Sequence, residues 1–418
     1  MIRSGVREIQ ASGFRVQRGE VLVPTQIGDD VHGQLSCAAA PLVAGSLQRK
    51  GRPARLAAVP RCDDPFADGE ATLCLATVPQ EDGNPAAIAA ATAPEDKLAG
   101  AMALAAVEEW AAVAGPRTLL AGSSPWCSGA LRAARASLLA AAEHAGSGHA
   151  VRLLGPVTLA PETVADLTAL GAIAVTSLAG AQAGDVVIFP AHGVRAEVRA
   201  EAAERGLTVV DATCPVITAA HDTADRIAER GQHLVLIGQQ GPAAGPIAAR
   251  AAGHATVVET IAGTAAMEVS DARRVSYMLQ PGMPVEAAEP IVTALRSRYP
   301  AARGPQPGGL CYAASDRAAT VHAVAIGSDV VFALGNAESA DARQLAAQAR
   351  EGGARAQVIS AVSEITPAML AGVTTIGTVE STSAPAGLTA EVIAAIAGLG
   401  GLTVARRQVS TQLADSLQ

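Results

Sequence analysis

The sequence predicts an α/β protein built mainly from parallel sheets. From residue 116 onward, short apolar runs alternate with amphipathic segments, which is the pattern of strand–helix–strand units. The 418 residues are 50% hydrophobic and 17% charged, a balance typical of a folded protein with a large core. Cysteines recur near the start of three helical segments at similar spacing. We therefore expect three consecutive α/β units preceded by an additional N-terminal α/β domain.

The N-terminal block, residues 1–115, is expected to form that additional domain. Its predicted strands are Val21–Pro24, Arg55–Val59 and Ala71–Val78, and its predicted helices are Pro41–Lys50 and Lys97–Ala114. The stretches Arg18–Pro24 and Cys37–Leu42 weakly resemble part of a nucleoside-phosphorylase domain. Because no phosphate-cradling glycine loop accompanies them, we expect an inactive accessory domain.

The rest of the chain is expected to divide into units 116–205, 206–303 and 304–418. Each unit is expected to contain a strand–cysteine–helix junction, at Cys127, Cys214 and Cys311. Around Cys214 a buried strand ends at Val210, and Pro215 suits the first position of a helix. A thiol at that N-cap lies beside unpaired amides, which favour the thiolate, the form that binds metals.

The predicted elements of these units alternate along the chain. The strands are Thr118–Ala121, Val151–Leu154, Ala172–Val175, Asp185–Pro190, Leu207–Val210, Leu234–Ile237, Thr256–Val258, Val275–Leu279, Asp329–Leu334, Gln357–Ile359 and Thr375–Val379. Between them lie predicted helices that end near Ala142 or span Pro161–Leu170, Arg195–Arg205, Val216–Arg230, Pro246–Ala252, Val285–Tyr299, Ala313–Val324, Ala340–Glu351 and Leu388–Leu399. Ligands of open parallel sheets bind at the carboxyl ends of strands. Three such units in a ring are therefore expected to direct their cysteines at one centre.

Composition limits the partners. A net charge of −8 and an aromatic content of 2% argue against a base-stacking nucleic-acid surface or an anionic membrane. No apolar run reaches the roughly 20 residues that span a bilayer. Residues Met1–Gln10 are charged and lack the apolar core of a signal peptide. We expect a cytoplasmic protein with a small-molecule substrate and neither nucleic-acid nor membrane partners.

Three converging thiolates suit zinc or an iron–sulfur cluster. A structural zinc would want a fourth protein ligand, and no histidine or cysteine recurs at a matching position. A [4Fe–4S] cluster on three cysteines leaves one iron open for substrate, as catalytic metals do. The other cysteines, Cys37, Cys62 and Cys74, lack this context and are expected to be structural.

Residues from about 117 to 400 resemble the 4-hydroxy-3-methylbut-2-enyl diphosphate reductase (LytB/IspH) family. The motifs that carry the resemblance are Cys127-Ser128-Gly129, Ala191-His192-Gly193-Val194 with Val198-Arg199, Asp211-Ala212-Thr213-Cys214-Pro215, Cys311-Tyr312-Ala313 with Arg317, and Ser383-Ala384-Pro385. The resemblance implies three α/β domains around a [4Fe–4S] cluster ligated by Cys127, Cys214 and Cys311. It also implies the two-electron reductive removal of an allylic hydroxyl. Because no flavin or nicotinamide fingerprint is present, the electrons are expected from a separate donor such as ferredoxin or flavodoxin.

The implied substrate pocket departs from the family pattern. His192, Ser339 and Ser383 fall on substrate-binding positions. The segment Gly241–Pro246 stands where the family has Gly-His-Pro-Glu-Val-Glu, so Ala244 replaces the proton-relay glutamate. Further departures are Thr158 in place of a histidine, Leu279-Gln280-Pro281-Gly282 in place of a threonine-rich segment, and Ala340-Asp341 after Ser339. A diphosphate needs charge-assisted donors, which alanine and proline do not supply, and Asp341 would add a repelling carboxylate.

The leading hypothesis is a [4Fe–4S] oxidoreductase that reduces a substrate other than the usual diphosphate. One alternative is an authentic 4-hydroxy-3-methylbut-2-enyl diphosphate reductase of isoprenoid biosynthesis, and another is a non-catalytic redox sensor or scaffold. Structural roles compete with substrate contact for His192, which would cap a loop, and for Ser339 and Ser383, which precede helices as N-caps do.

Overall fold

The computed structural model of the chain describes residues 5–12, 14–29, 33–59, 70–80, 83–122, 124–155, 161–241, 243–251 and 253–411. The chain forms two compact units. Unit 1 combines Met1–Ser124 with Thr320–Gln408, and unit 2 combines Pro125–Ala319 with Val409–Gln418. Within the described ranges, no helix is both long and apolar enough to cross a membrane.

The elements follow in chain order. Unit 1 begins with β1 (Arg7–Ser12), β2 (Val21–Asp29), β3 (Gly33–Ser36), α1 (Ala40–Arg49), β4 (Ala54–Val59), β5 (Glu70–Val78), β6 (Ala86–Thr92), α2 (Lys97–Ala112) and β7 (Arg117–Ala121). Unit 2 contains α3 (Ser128–His144), β8 (Val151–Leu154), α4 (Pro161–Ala169), β9 (Ile173–Val175), β10 (Val186–Phe189), α5 (Ala196–Glu204), β11 (Thr208–Asp211), α6 (Pro215–Glu229), β12 (His233–Ile237), α7 (Ala244–Arg250), β13 (Ala255–Val258), α8 (Ile261–Ala266), β14 (Val275–Leu279), α9 (Val285–Arg298) and a 3₁₀ turn at Pro307–Gly309.

The chain returns to unit 1 through α10 (Ala313–Ile326). There follow β15 (Val330–Leu334), α11 (Ala340–Glu351), β16 (Arg355–Ile359), a 3₁₀ turn at Val362–Glu364, α12 (Pro367–Leu370), β17 (Thr375–Glu380), α13 (Leu388–Ala397) and β18 (Leu402–Arg406). The strand–helix alternation predicted from residue 116 onward is thus present.

Unit 1 contains two sheets. One is mixed and has the strand order β1-β5-β6-β3-β2-β4. The other is parallel, with the order β16-β15-β17-β7-β18. Strand β7 was expected to open the unit 116–205, but it pairs with the C-terminal strands β17 and β18. The predicted domain boundaries themselves stay predictions.

The N-terminal block shares a continuous hydrophobic core with the C-terminal strands of unit 1. Trp110, fully buried, belongs to the same apolar cluster as Phe332 of β15. Helix α1 lies so close to the Val362–Glu364 turn that a Cβ at Gly45 would be 2.1 Å from the Ser363 carbonyl oxygen. The expected accessory domain is therefore packed into unit 1 through shared core residues.

Unit 2 contains two fully parallel sheets, β11-β10-β8-β9 and β13-β12-β14. The strand β10 is buried at all four positions, as expected where helices cover both faces of a parallel sheet. Loops that follow β10 and β11 carry the Ala191–Val194 and Ala212–Pro215 segments. Both segments lie at the carboxyl edge of this sheet, where α/β proteins bind ligands.

Candidate functional site

Two of the three candidate cysteines are helix N-caps. Cys127 precedes α3 and Cys214 precedes α6, and both have extended backbone conformations. The Cys127 Sγ accepts a hydrogen bond from the Ala130 amide at 3.4 Å. Pro215 occupies the first turn of α6, as its missing N–H favours. The expected N-cap position of Cys214 is confirmed.

The sulfur atoms of Cys127 and Cys214 both lie close to Gly129, in the first turn of α3. A Cβ at residue 129 would lie 2.6 Å from the Cys214 Sγ and 3.8 Å from the Cys127 Sγ. A side chain at this position would therefore collide with Cys214, and glycine leaves room for it. The structure brings these two thiols, which are far apart in the sequence, to one place in unit 2.

Cys311 is half-buried and lies two residues before α10. The prediction of a strand directly before it is wrong, because the preceding element is the 3₁₀ turn Pro307–Gly309. That turn contacts α6, the helix that Cys214 caps. Among the described residues, no group of three His, Cys, Asp or Glu is close enough to hold a single metal ion. Cysteine sulfurs bound to different irons of one cluster lie farther apart than the ligands of a single ion. The convergence of Cys311 on Cys127 and Cys214 therefore stays a prediction.

The loop before Cys214 is held by a network of hydrogen bonds. Asp211 accepts from the Thr213 amide at 3.0 Å and from the Thr213 hydroxyl. It also pairs with Arg199, whose Nη1 lies 2.6 Å from Oδ2. The Cys214 amide donates to the Ala191 carbonyl at 2.8 Å, which joins this loop to the one that carries His192.

Asp211 is kept ionised by the same contacts. Partial burial opposes ionisation, but the hydrogen bonds from Arg199 and Thr213 outweigh it and lower the pKa of the Asp211 carboxyl. An ionised Asp211 is the better acceptor for all three donors. The loop therefore carries an internal charge pair that fixes the residues leading to Cys214.

His192 lines a cavity of about 390 Å³ in unit 2. The walls come from the ends of β8 and β10, from α5 and from the segment around α7, including Gly241, Gly245 and Pro246. Burial lowers the pKa of His192, so the imidazole is neutral at pH 7 and offers one donor and one acceptor. The histidine and the segment that departs from the family pattern therefore face the same space.

Ala244, expected at the position of the family glutamate, does not line this cavity. It is fully buried and packs in an apolar cluster with Ala220, Leu236 and Ile247. Its neighbours Gly245 and Pro246 line the cavity instead. A carboxylate at position 244 would therefore enter the hydrophobic core and not the cavity.

Ser339 and Ser383 lie in unit 1, at the carboxyl ends of its parallel strands. Ser339 is the N-cap of α11, and its hydroxyl accepts from the Ala342 amide at 3.4 Å, so the capping alternative has direct geometric support. Ser383 does not cap α13, whose N-cap is Gly387. Its hydroxyl accepts from the Asn336 amide at 3.0 Å.

Asp341 and the loop of Ser383 are linked. The Asp341 Oδ2 accepts from the Thr382 amide at 2.7 Å and from the Thr382 hydroxyl at 3.0 Å. The Ser383 hydroxyl lies 2.8 Å from that of the buried Ser381. The carboxylate expected to repel a diphosphate therefore also serves to hold the loop after β17.

Sequence reasoning missed His221 and Arg132. His221 is 3% exposed on the buried face of α6, and its Cε1 would lie 2.8 Å from a Cβ at Gly193. Gly193 has φ +77°, so a side chain there is disfavoured by both backbone and space. Within the described residues, the His221 Nε2 has no hydrogen-bond partner. The sequence signal that could have identified His221 is its position on the apolar face of an amphipathic helix.

The N-terminal cysteines have the environment of structural residues. Burial raises the pKa of Cys37 to about 12. Burial, with smaller contributions from nearby glutamates, raises the pKa of Cys74 to about 11. Both thiols stay protonated at neutral pH and are poor metal ligands. Cys62, like Thr158, lies outside the described residues.

Comparison with known proteins assigns the family. The family model described as "LytB protein" matches residues 118–397. A 4-hydroxy-3-methylbut-2-enyl diphosphate reductase of Azoarcus sp. (strain BH72) is 38% identical over 242 residues, which are 58% of this chain and 78% of that relative. The 4-hydroxy-3-methylbut-2-enyl diphosphate reductase 1 of Mycobacterium tuberculosis is 36% identical over 230 residues, 55% of this chain and 70% of that relative.

Solved structures agree on the fold. The E-1-hydroxy-2-methyl-but-2-enyl-4-diphosphate reductase of Plasmodium falciparum superposes with a TM-score of 0.59 at 18% identity, covering 72% of this chain and 95% of that one. A structure of (E)-4-hydroxy-3-methyl-but-2-enyl diphosphate reductase gives a TM-score of 0.55 at 24% identity, covering 67% and 99%. The predicted α/β fold is confirmed, and the chain is an oxidoreductase that belongs to the LytB/IspH family.

Proposed function

We propose that this protein is a [4Fe–4S] reductase that removes a hydroxyl group from an allylic small molecule. In this proposal Cys127, Cys214 and Cys311 hold the cluster. The observation that carries it is that the Cys127 and Cys214 sulfur atoms both lie close to Gly129, each at a helix N-terminus. Two cysteine sulfur atoms at one place form a donor pair of the kind that soft metals prefer.

The residues present fit an iron–sulfur cluster. The proposed donors are three cysteine sulfur atoms, and the positive ends of α3 and α6 would offset the negative charge of a cluster bound there. When bound, the cluster would relay two electrons, one at a time, and offer a Lewis-acidic iron to the substrate hydroxyl, while two protons from solvent would complete the conversion of the C–OH group to C–H and water. The chain itself would bind and orient the substrate and exclude water. Electrons would arrive from a separate cytoplasmic donor such as ferredoxin or flavodoxin.

The substrate in this proposal carries less negative charge than a diphosphate. Beside the His192 cavity, the Arg195 Nε lies 3.6 Å from the Glu197 Oε2. The Glu201 Oε1 lies 2.8 Å from the Arg205 Nη2. The two charged side chains that line the cavity, Arg195 and Glu201, have opposite signs, so they give the lining no net positive charge, and the His192 imidazole is neutral. A diphosphate would need several charge-assisted donors. An allylic alcohol without that group could instead hydrogen-bond to His192.

One alternative keeps the usual substrate. The relatives named above are 4-hydroxy-3-methylbut-2-enyl diphosphate reductases, and Ser339 and Ser383 are retained at the expected positions. In this alternative other residues take the place of the substrate-binding residues that the chain lacks. A non-catalytic redox sensor is the remaining possibility, and the same experiment separates all three.

The test begins with anaerobic purification and analysis of iron and acid-labile sulfide. The wild type is expected to contain one cluster per chain, and Cys214→Ser to lose it, because a serine hydroxyl binds iron far more weakly than a thiolate. Cys74→Ala is the matched control, since Cys74 is a buried thiol in unit 1. Normal iron content in Cys214→Ser would refute the ligand assignment.

Substrate class is tested on the loaded protein with dithionite as reductant. Electron paramagnetic resonance and product analysis compare the family's diphosphate substrate with the corresponding diol, in which a hydroxyl replaces the diphosphate. The proposal expects a changed cluster signal and turnover with the diol. Turnover with the diphosphate alone would establish the authentic reductase, and a cluster indifferent to both would favour the sensor.

A further inference from the structure

Helix α3 reaches across to the loop that carries Cys214. The helix is capped by Cys127, and Arg132 lies just over one turn further along it. The Arg132 Nη2 donates a hydrogen bond to the carbonyl oxygen of Thr213, the residue directly before Cys214. One helix therefore carries one candidate ligand at its N-cap and holds the backbone beside the other.

The opposite side of Thr213 is already fixed by its own loop. Its amide and hydroxyl both bond to Asp211, and Arg199 holds Asp211 in place. Thr213 itself is 5% exposed. The hydrogen bond to the Thr213 carbonyl thus ties this loop to α3. Hydrogen bonds within the loop hold Thr213 in place, and Cys214 is the next residue.

We propose that Arg132 is a positioning residue that sets the separation of the Cys127 and Cys214 thiols. Its guanidinium is planar and permanently charged, and it holds a backbone acceptor in a fixed direction. Without it, the loop can withdraw from α3, and the Cys214 Sγ can leave the space beside Gly129. The inference rests on the proposed cluster for its purpose, but the separation of the thiols is a property of the protein alone.

The test therefore uses the metal-free protein. Dibromobimane, a short bifunctional reagent, bridges two thiols only when they are close, and peptide mass spectrometry identifies the Cys127–Cys214 product. We expect Arg132→Ala to lower the yield of this product several-fold relative to single alkylation of Cys127. Arg132→Lys keeps the charge and a donor and is expected to recover part of the yield. Arg132→Gln serves in place of Arg132→Ala if the latter does not fold.

Arg135 provides the matched control. It lies on the same helix, is exposed like Arg132, and makes no hydrogen bond or ion pair among the described residues. Arg135→Ala is expected to cross-link like the wild type. Wild-type yield in Arg132→Ala would overturn the proposal, and so would an equal loss in Arg135→Ala, which would indicate a general effect of surface charge.

Iron uptake during anaerobic reconstitution is the second measurement. A lower initial rate in Arg132→Ala, together with the lower cross-linking yield, supports positioning. A lower rate with unchanged cross-linking overturns it, because the arginine would then act through charge alone. Failure of the wild type to bind iron would refute the proposed cluster, while the cross-linking result would still decide the role of Arg132.

Discussion

The loop Asp211–Cys214 and the second segment, residues 239–241 and 243–246, both follow a parallel strand of unit 2, but they are built differently. In the first, backbone and side-chain polar groups bond to one another and to Arg132, Arg199 and Ala191. The second is tied at its start by exposed side chains, and a Cβ at either Gly241 or Gly245 would meet nothing within 4 Å.

Because of this difference, we expect the two regions to tolerate substitutions to different degrees. A substitution in the interlocked loop must displace the Cys214 thiol or leave a buried polar group without a partner. A substitution at an open position of the second segment, such as Gly245, changes the cavity wall at little cost to folding. The proposed cluster site can thus be retained while the pocket beside His192 changes. The two glycines Gly129 and Gly245, one enclosed and one open, make this comparison testable.

The largest expected effect is that of Gly129→Ala. The added methyl would lie 2.6 Å from the Cys214 Sγ, so the sulfur would have to move by on the order of 1 Å to restore an ordinary contact. Since alanine itself favours the helix, we expect a folded protein that loses most of its iron. Iron analysis and circular dichroism after anaerobic reconstitution measure both properties.

Gly100→Ala in α2 is the control for this substitution. There the new Cβ would make an ordinary contact, 3.7 Å from the Thr92 hydroxyl, so iron content is expected to match the wild type. Full iron occupancy in Gly129→Ala would show that the two thiols do not need this close approach.

The next effect concerns Ala244 and its neighbour. Ala244→Glu, which restores the family's residue type, would bury a carboxylate in an apolar cluster. We expect it to lower the free energy of unfolding by on the order of 4 kcal/mol. Gly245→Glu places the same charge toward the cavity and is expected to change that free energy by less than about 1 kcal/mol. Urea titration of the metal-free proteins measures the free energy of unfolding of both variants. Equal losses of stability would contradict the burial of position 244 and the exposure of position 245 to the cavity.

The sequence predicted those features that depend on local chemistry. A strand followed by Cys214-Pro215 and an apolar stripe defines the N-cap of α6, and the structure has it within a residue. Strand β6, by contrast, was not predicted. Its sequence, Ala86–Thr92, is rich in alanine, a helix former, yet all seven positions are buried in the mixed sheet. Tertiary packing outweighs intrinsic propensity there.

Site features that depend on orientation or on distant contacts were also beyond the sequence. The position of Ala244 was matched to the family motif, but the motif does not say that α7 turns this residue into the core. The role of Gly129 depends on the thiol of Cys214, which is far away in the chain. Pairing of β7 with β17 likewise depends on strands at the other end of the polypeptide.

The smallest expected effect is on the pH dependence of stability, through His221. Burial, followed by the nearby Arg250 and Arg199, lowers the pKa of His221 from its ordinary value of 6.5, and Asp225 and Asp222 oppose this only in part. The unfolded chain therefore binds a proton at a higher pH than the folded one does. The stability that His221 contributes is complete above about pH 6.5 and is lost as the pH falls toward the lower, folded value.

Protonation would place a charged N–H at the buried Nε2, for which the described residues offer no acceptor. We expect the wild type to lose up to about 1.4 kcal/mol per pH unit through this group as the pH falls below about 6.5. His221→Gln, which does not titrate, should show a shallower slope in urea titrations of the metal-free protein at each pH. His192 and His233 have pKa values lowered in the same direction by burial, so a residual slope is expected in the variant. If the free energy of unfolding falls equally with pH in the wild type and in His221→Gln, His221 is not the group responsible for this pH dependence.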